Sequence, residues 1–482
     1  MKVLFVASEA HPFIKTGGLG DVIGALPISL KELGVDSRVI IPNYRDIKKE
    51  IKDNLNYIGY FFINVGWRNQ YCGVLEYEYE GIKFYLLDNE YYFKRSGLYG
   101  YYDDGEKFTF FSRAVLEFLR FVDWVPDVIH CNDWQTAMVP VLHKLEYISD
   151  EKFKNIKSVF SIHNLFFKGM FSPEVLPELF GYNYEPFLNG SLEHNGAVSF
   201  LKGGINFSDR VTTVSKTYAE EIKTKEYGEE LDGLLKYREN YLLGIVNGID
   251  YKEYDPENDS YIDFNYNYEK LENKYLNKEK LQDELGLEVN RDIPMIGLVS
   301  RLTHQKGCDL IIKILDDLVK ENVQIVILGT GDYIYEESFK SFSDIYIDKI
   351  SANIRFSNEL AHKIYAASDM FFMPSLFEPC GLGQLIALRY GSIPIVRETG
   401  GLKDTVIPYN EFDETGNGFG FRNYYHEELL NITKYAISIF KNKDKWTNIV
   451  KNAMEANNSW EKSAKEYLEL YEELMEDNNS NI

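Results

Sequence analysis

A carboxylate, a thiol and two glycine-rich turns occur within residues 374–401, PSLFEPCGLGQLIALRYGSIPIVRETGG. Glu378 and Cys380 follow an apolar strand, and a helix is predicted from about Gly381. A second apolar strand leads to the turn at 399–401. Open parallel sheets bind ligands at the carboxyl ends of their strands, and helix N-termini offer free N–H groups to phosphate. These residues therefore predict a site for a sugar or acyl group carried on a phosphate.

Two cations are predicted at the corresponding edge of the same sheet. The sequence SRLTHQKGCDL places Arg301 and Lys306 in one turn after the apolar strand MIGLVS. A guanidinium binds phosphate oxygens in a bidentate manner, whereas an ammonium acts as a point charge. The chain contains no D-x-D pattern, which a metal-bound diphosphate would favour. We therefore expect these cations, and no metal ion or other cofactor, to neutralise a diphosphate.

The first half of the chain contributes further candidates. In the first loop, EAHPFIKTGGLGDVIGALP, Gly17 and Gly18 allow the backbone to approach a ligand, and Lys15 adds a positive charge. Alone, this loop is equally compatible with tight packing. His163 ends the strand KSVFSI, where it could hydrogen-bond to sugar hydroxyls or cap backbone groups.

An acid and an aromatic residue follow the preceding strand, DVIHC. Asp133 and Trp134 offer a carboxylate and an aromatic face, which suit a carbohydrate. Asp133 could equally be the N-cap of the next helix, and we take this as the default with ligand contact as an addition.

Strands alternate with helices in both halves of the chain, which predicts an α/β fold with parallel sheets covered by helices on both faces. The predicted strands are KVLFVA, SRVIIP, KFYLLD, DVIHC, KSVFSI and RVTTV in the first half, then MIGLVS, VQIVILG, DMFFMP and IPIV in the second. A helix after the first loop is indicated by the spacing of Val22, Ala25, Leu26, Leu30 and Leu33.

The length of 482 residues favours two or three domains. We predict a first domain at 1–243 and a second at 244–455, which is entered through a polar stretch at about 251–291. A C-terminal helix is predicted at 456–482, with an apolar side made of Trp460, Tyr467, Leu470, Tyr471 and Leu474. Its pattern alone fits packing on either domain.

Composition excludes several classes of function. A net charge of −23 and a pI near 4.9 argue against nucleic acid or an anionic membrane as partner. No apolar run approaches the roughly 18 residues of a membrane span, and the start does not have the pattern of a signal peptide. We therefore expect a cytoplasmic protein. The four cysteines are scattered, which argues against a disulfide framework or a zinc site.

Together these segments resemble the bacterial glycogen synthases and plant starch synthases, retaining glucosyltransferases that use a nucleotide-glucose donor. The resemblance covers essentially the whole chain in order. It is carried by KTGGLGDV from Lys15, SRLTHQKG from Ser300, FEPCGLGQ from Phe377, RYGSIPIVRETGGLKDTV from Arg389 and the SW–SA–Y–LY pattern from Ser459.

The resemblance implies two Rossmann-like domains facing across a cleft, the GT-B arrangement, with the C-terminal helix crossing back to the first domain. It implies transfer of glucose from ADP-glucose to the non-reducing end of an α-1,4-glucan such as glycogen, with the anomeric configuration retained. The first domain would lie on the acceptor side, and the second would bind the nucleotide sugar.

The resemblance also implies roles for individual residues. The implied catalytic set is Lys15, His163, Arg301, Lys306 and Glu378. With the candidates above, the substrate-binding set comprises Lys15, Gly17, Gly18, Asp21, Asp133, Trp134, Asn164, Asn247, Phe356, Cys380, Gly381, Leu382, Thr399, Gly400 and Gly401. Arg301 and Lys306 would hold the diphosphate, Thr399 and Gly400 would cap its distal phosphate, and Phe356 would stack on adenine. The glucose would be surrounded by His163, Asn247, Glu378 and Cys380.

Several alternatives stay open at the level of sequence. Glu378 could act as the nucleophile, or it could orient the sugar while the leaving phosphate guides the acceptor, and we favour the second role. Lys168 stands where the family usually has Gln, which puts local acceptor or loop contacts in doubt. A GT-B transferase that uses a UDP-sugar and another acceptor is the alternative enzyme. A catalytically silent glucan-binding or nucleotide-sugar-binding protein is the non-enzymatic alternative, which would not need all five catalytic positions.

Overall fold

The computed structural model describes residues 1–476. It divides into two compact units. The first comprises Met1–Asn247 together with the helix that begins at Trp460, and the second comprises Gly248–Ser459. Residues 477–482 of the predicted C-terminal helix lie outside the described residues.

The first unit contains twelve strands and nine helices before residue 248. The strands are β1 (Lys2–Val6), β2 (Asp36–Pro42), β3 (Asn56–Val65), β4 (Arg68–Tyr79), β5 (Ile82–Asp88), β6 (Val128–Asn132), β7 (Lys157–Ile162), β8 (Met170–Phe171), β9 (Glu193–His194), β10 (Ala197–Ser199), β11 (Arg210–Thr213) and β12 (Leu242–Gly244). The helices are α1 (Gly18–Glu32), α2 (Lys49–Lys52), α3 (Glu90–Phe93), α4 (Asp104–Phe121), α5 (Met138–Leu142), α6 (Glu185–Leu188), α7 (Phe200–Phe207), α8 (Lys216–Glu221) and α9 (Asp232–Tyr237).

The main sheet of the first unit has nine strands in the order β12-β11-β7-β6-β1-β2-β5-β4-β3. All neighbours are parallel except the hairpin strands β3 and β4, which pair antiparallel with each other and with β5. Strands β8, β10 and β9 form a small separate sheet. The chain therefore starts in the middle of the main sheet and winds outwards in both directions, which is the Rossmann pattern.

The second unit contains six strands and eight helices. The strands are β13 (Met295–Val299), β14 (Gln324–Leu328), β15 (Ile350–Asn353), β16 (Met370–Met373), β17 (Ile393–Arg397) and β18 (Phe419–Phe421). The helices are α10 (Glu272–Glu284), α11 (Cys308–Leu318), α12 (Tyr333–Ile345), α13 (Asn358–Ala367), α14 (Gly383–Arg389), α15 (Gly400–Thr405), α16 (His426–Phe440) and α17 (Lys443–Glu455).

The six strands of the second unit form one parallel sheet in the order β15-β14-β13-β16-β17-β18. Counted from its own first strand this order is 3-2-1-4-5-6, the doubly wound Rossmann order. The direction of winding reverses between β13 and β16. In such folds the crevice at this reversal, outside the carboxyl ends of the strands, is where ligands bind.

The ten strands predicted from apolar runs are all present, with ends within one residue of the prediction. Helix α1 buries the predicted apolar positions Val22, Leu26 and Leu30 against the first core. The hairpin β3–β4 is an addition to the predicted strands. It extends the sheet beyond β5 and presents one face to solvent, so it lacks the continuous burial of the parallel strands.

The C-terminal helix α18 (Trp460–Glu476) packs in the first unit. All five side chains predicted on its apolar side are buried there, and it lies against α1. The Tyr471 hydroxyl lies 2.6 Å from Nδ1 of His130 on β6, and His130 Nε2 lies 2.6 Å from Ser161 Oγ on β7. The predicted return of this helix to the first domain is therefore confirmed.

The units divide at positions slightly different from the predicted boundaries of 243/244 and 455/456. Strand β12 pairs with β11, which keeps Gly244 in the first unit and moves the division to after Asn247. At the other end, Ile249 forms a bridge with Ser459, so the second unit continues past α17. Within residues 1–476, no helix combines the length and apolar character needed to cross a membrane.

Candidate active site

The reversal point of the second sheet brings together three predicted residues. Arg301 and Lys306 lie in the segment that follows β13, and Glu378 lies after β16. Gly307 has φ +75°, and a Cβ there would lie 2.3 Å from the carbonyl oxygen of Pro374. Glycine is therefore required for the cation-bearing turn to pack directly on the end of β16.

Lys306 and Glu378 form a nearly buried ion pair. Lys306 Nζ donates to Glu378 Oε2 at 2.5 Å, and Ser375 Oγ donates to the same oxygen at 3.0 Å. The Glu378 side chain is only 7% exposed and that of Lys306 is 16% exposed. Because the two charges compensate each other inside the protein, each holds the other in a fixed place.

Arg301 is placed differently from its partner cation. Its residue is exposed, and its guanidinium makes no hydrogen bond or ion pair with any other residue in the described part of the chain. Since Glu378 already compensates Lys306, the turn has one uncompensated positive charge. A diphosphate would meet an available bidentate donor in Arg301 and a buried ammonium in Lys306.

The loops after β16 and β17 pack backbone against backbone. Gly400 has φ +44°, and a Cβ there would lie 2.0 Å from the Glu378 carbonyl oxygen. A Cβ on Gly401 would lie 2.1 Å from the Cys380 carbonyl oxygen. Gly401 N donates to Glu378 O at 3.1 Å. Glycine at both positions therefore lets the turn at 399–401 support the Glu378 loop.

The helix after Glu378 begins later than predicted. Helix α14 starts at Gly383 and not at about Gly381, because Gly381 has φ +73°, a left-handed conformation that a right-handed helix cannot contain. Gln384 Nε2 donates to the carbonyl oxygens of Cys380 and Gly381 at 3.0 and 2.9 Å. Cys380 is buried, Leu382 is half-buried at the start of α14, and the predicted helix start at the second turn is confirmed by α15 at Gly400.

Two more predicted residues lie at the same edge of this sheet. Thr399 is fully buried and directly precedes α15. Phe356 lies after β15 with 89% of its surface exposed. An aromatic ring that no protein group covers is available to stack on a planar ligand.

In the first unit, the loop after β1 is organised by an acid that the sequence reasoning missed. Glu9 is buried and accepts hydrogen bonds from Thr16 N at 2.5 Å and from Thr16 Oγ1 at 2.8 Å. Burial raises the pKa of Glu9 to about 7, against the lowering effect of those two hydrogen bonds. A carboxylate directly after an apolar strand was the available signal. Glu9 therefore anchors the loop that carries Lys15.

Lys15 itself is half-exposed. Its Nζ pairs with Asp21 Oδ1 at 2.7 Å, within the first turn of α1. Gly20 makes this arrangement possible, because a Cβ there would lie 2.4 Å from Lys15 Cβ. A Cβ on Gly17, where α1 is about to begin, would have no neighbour within 4 Å. Space beside the backbone at Gly17 is thus open, as a ligand-contacting turn requires.

His163 lies at the end of β7, beside the end of β6. Its Nε2 lies 2.9 Å from Asn132 Oδ1, and the Asn132 amide nitrogen donates to the carbonyl oxygens of Val6 and His130. Those two bonds fix Oδ1 as the acceptor, so Nε2 carries the proton. Burial lowers the pKa of His163 to about 4. The imidazole is therefore neutral at pH 7 and presents Nδ1 as a hydrogen-bond acceptor.

Asp133 does not cap the following helix, contrary to the default expectation. Its Oδ1 accepts from the backbone N–H of His163 at 2.8 Å, and the N–H of Asn164 also donates to this carboxylate. Burial raises the pKa of Asp133 to about 7, although those two N–H groups lower it. Because φ is +57°, the Asp133 backbone turns its carboxylate towards the His163 loop, whose position it fixes.

Trp134 belongs to the core more than to the surface. Its ring contacts Phe108 edge-on at 5.1 Å and Phe171 at 5.8 Å between ring centroids. The backbone of Gly169 approaches so closely that a Cβ there would lie 2.4 Å from the indole. The predicted carbohydrate-stacking face is thus largely used for packing.

The loop after His163 accommodates Lys168 by an ion pair. Lys168 Nζ lies 3.1 Å from Glu229 Oε2, and Asn164 Oδ1 accepts from Phe166 N at 3.0 Å. Lys168 therefore has a local structural partner, and Asn164 shapes the turn.

Asn247 is buried, and its Oδ1 has no hydrogen-bond partner among the described residues. Over residues 1–476, no group of three or more His, Cys, Asp or Glu side chains is arranged to hold a metal ion.

Two family comparisons match nearly the whole chain. The family described as starch synthase catalytic domain matches residues 2–237. The family described as glycosyl transferases group 1 matches residues 278–456. The first match contains Lys15 and His163, and the second contains Arg301, Lys306 and Glu378.

Curated relatives are similar over their full length. The chain is 62% identical to the glycogen synthase of Clostridium botulinum (strain Eklund 17B / Type B) over 475 residues, which cover 98% of this chain and 99% of the relative. It is also 62% identical to the glycogen synthase of Clostridium perfringens (strain 13 / Type A), with 98% of each chain covered.

Solved structures show the same fold. The catalytic domain of starch synthase IV from Arabidopsis thaliana, bound to ADP and acarbose, is similar with a TM-score of 0.91 and 32% identity, covering 98% of this chain and 99% of that one. Sucrose-phosphate synthase from Thermosynechococcus elongatus shares the fold at a TM-score of 0.63 and 15% identity, with 99% of each chain covered. The chain therefore belongs to the glycogen and starch synthase family of GT-B glycosyltransferases.

Proposed function

We propose that this protein transfers glucose from ADP-glucose to the non-reducing end of an α-1,4-glucan, with retention of configuration. The observation that carries the proposal is the edge of the second sheet, where Arg301, Lys306 and Glu378 meet at the reversal of winding. Full-length similarity to glycogen synthases and to a starch synthase bound to ADP supports the choice of donor and acceptor.

The leaving group determines the first requirement of the reaction. Cleavage of the bond between glucose and the diphosphate places negative charge on the diphosphate. Arg301 has free guanidinium donors for this charge, and Lys306 is held in place before the substrate arrives. Preorganised donors of this kind usually make the largest contribution to catalysis. We propose that Thr399 and Gly400 bind the distal phosphate from the neighbouring turn.

Glu378 is proposed to orient the sugar and not to attack it. Its Oε2 already accepts from Lys306 and Ser375, and these bonds stabilise the carboxylate and lower its nucleophilicity. The carboxylate near the anomeric carbon would stabilise positive charge that develops there as the diphosphate leaves. The departing phosphate would then direct the acceptor hydroxyl to the same face of the sugar.

His163 is proposed to accept a hydrogen bond from a sugar hydroxyl. Its neutral form and its protonated Nε2 follow from burial and from Asn132. Because only Nδ1 remains, this histidine cannot donate to the sugar unless it becomes protonated. Lys15 is proposed to supply a positive charge from the neighbouring loop to the donor.

Primer extension tests the proposed function. Purified protein is incubated with ADP-glucose and a fluorescently labelled maltohexaose, and the products are resolved by mass spectrometry. We expect a ladder of products that differ by one glucose unit, all degraded by an exo-acting α-1,4-glucan hydrolase. ADP-glucose consumption without extension of the primer would reject the glucan as acceptor.

Substitution of Phe356 should weaken binding of the donor without affecting the fold. The ring is 89% exposed, so Phe356→Ala removes no core packing and should leave the melting temperature unchanged. Loss of a stacking partner should reduce affinity for ADP by about 1–3 kcal/mol, measured by isothermal titration calorimetry. Tyr333→Ala, at another exposed aromatic residue of the second unit, is the matched control. Equal ADP affinity in wild type and Phe356→Ala would exclude this ring from the adenine site.

We also propose that the transfer requires no metal ion, since two protein cations are positioned for the diphosphate. Initial rates with ADP-glucose and glycogen should be the same in excess EDTA as in buffer containing Mg²⁺. Loss of activity in EDTA that Mg²⁺ restores would contradict charge neutralisation by Arg301 and Lys306.

A further inference from the structure

A cationic cavity lies in the first unit, on the side of the sheet opposite the carboxyl ends of its strands. Its volume is about 370 Å³, within the range of small-ligand sites. Lys157 and Arg210, which begin β7 and β11, line it together with Lys144 and Arg238. Asp209 is the acidic side chain among the lining residues. Four cations surround one carboxylate here, although the whole chain carries a net charge of −23.

Asp209 compensates only one of these cations. Its Oδ1 pairs with Lys144 Nζ at 2.8 Å, and its Oδ2 accepts from Ser158 N at 2.8 Å and Ser158 Oγ at 2.9 Å. Although burial opposes ionisation, Lys144 and Ser158 lower the pKa of Asp209, so the carboxylate is charged at pH 7. Both of its oxygens are therefore engaged away from the remaining cations.

The two guanidinium groups are positioned by the same aromatic ring. Arg238 Cζ lies 4.6 Å and Arg210 Cζ lies 5.4 Å from the Tyr241 ring centroid. Arg238 donates to Ser208 O at 2.6 Å, and Arg210 donates to Asp209 O at 3.2 Å. These are neutral carbonyl acceptors, and Arg238 Nε is buried without a hydrogen-bond partner among the described residues. Two like charges held this close are stabilised when an anion binds between or beside them.

Lys157 supplies a further uncompensated charge. Its side chain pairs with no acidic group in the described part of the chain. The cavity thus combines bidentate donors, a point-charge ammonium and an aromatic wall, which is the donor set that recognises phosphate.

We propose that this cavity is a second anion site that binds a small phosphorylated molecule, separate from the edge that carries Arg301 and Lys306. The two sites are independent because the cavity is lined entirely by residues of the first unit, at the amino-terminal ends of β7 and β11. The wall formed by Tyr241 and the volume leave room for an organic group beside the phosphate.

Calorimetric titration with inorganic pyrophosphate tests the second site. All proteins carry Arg301→Ala, so that the cations of the donor edge contribute less to binding. Pyrophosphate should bind the Arg301→Ala protein, and affinity should fall about tenfold or more when Lys157→Gln or Arg238→Gln is added. Lys157→Gln removes a charge that makes no hydrogen bond to the described residues, so it should retain the melting temperature even if Arg238→Gln unfolds.

Lys48→Gln, at an exposed lysine of the same unit outside the cavity, is the matched control and should bind pyrophosphate with unchanged affinity. Equal affinity in the Lys157→Gln and control proteins would overturn the proposal. An equal loss in both would also overturn it, because it would show a general effect of charge. Neither result depends on glucosyl transfer, so failure of this site and failure of the proposed function can be distinguished.

Discussion

Glu378→Ala should lower kcat by roughly 10²–10³-fold, the size of effect that follows loss of one preorganised electrostatic group. ADP should bind at least as tightly as to wild type, because Lys306 loses its carboxylate partner and becomes available to the diphosphate. Steady-state kinetics with ADP-glucose and calorimetry with ADP measure the two effects. Wild-type turnover in this variant would remove Glu378 from the mechanism.

The same substitution has a consequence for stability. Without the carboxylate, the Lys306 ammonium is nearly buried and uncompensated, which should lower the melting temperature of the ligand-free protein. ADP should therefore raise the melting temperature of Glu378→Ala by more than it raises that of wild type. Glu378→Gln is the matched control, since it keeps the shape and an acceptor for Ser375 Oγ. If Glu378 were the nucleophile, a covalent glycosyl–enzyme would be detectable by mass spectrometry, and our account predicts none.

Arg301→Ala should reduce kcat/KM for ADP-glucose by about 10- to 150-fold, which corresponds to about 1.5–3 kcal/mol of transition-state stabilisation. The guanidinium makes no hydrogen bond or ion pair with another described residue, so the substitution should leave the melting temperature unchanged. The loss should therefore be confined to binding and catalysis, and initial rates over a range of donor concentrations measure it.

Lys441→Ala, at an exposed lysine that follows α16, is the control for a general loss of positive charge and should retain wild-type kcat/KM. Arg301→Lys should recover part of the loss, since an ammonium supplies charge without bidentate geometry. Unchanged kcat/KM in Arg301→Ala would place this residue outside the donor site.

The elements that position these residues could be predicted because their sequence signals are local. Apolar runs such as MIGLVS and DMFFMP are buried on both faces of a parallel sheet, and each of them forms the expected strand. The parallel arrangement then places Arg301 and Glu378 at the same edge without further information. The return of α18 to the first domain was implied only by resemblance, since its apolar side fits either core.

The interactions within the site could not be predicted because they depend on contacts distant in sequence. Nothing near Lys306 indicates that Glu378, which follows a different strand, will accept from its ammonium. Asp133 has the sequence position of an N-cap, but the tertiary position of the His163 loop determines which N–H groups its carboxylate accepts. Trp134 was expected to stack on a carbohydrate, yet Phe108 and Phe171 surround its ring. Local pattern gave the positions of these side chains and tertiary packing determined their partners.

Transfer of glucose to glycogen, measured side by side with ADP-glucose and UDP-glucose on one preparation, tests the central claim most directly. Initial rates of incorporation from labelled donors give kcat/KM for each. We expect incorporation from ADP-glucose with a kcat/KM at least about tenfold higher than from UDP-glucose, a difference of about 1.4 kcal/mol in transition-state binding. Preference for UDP-glucose, or no incorporation from either donor, would contradict the account.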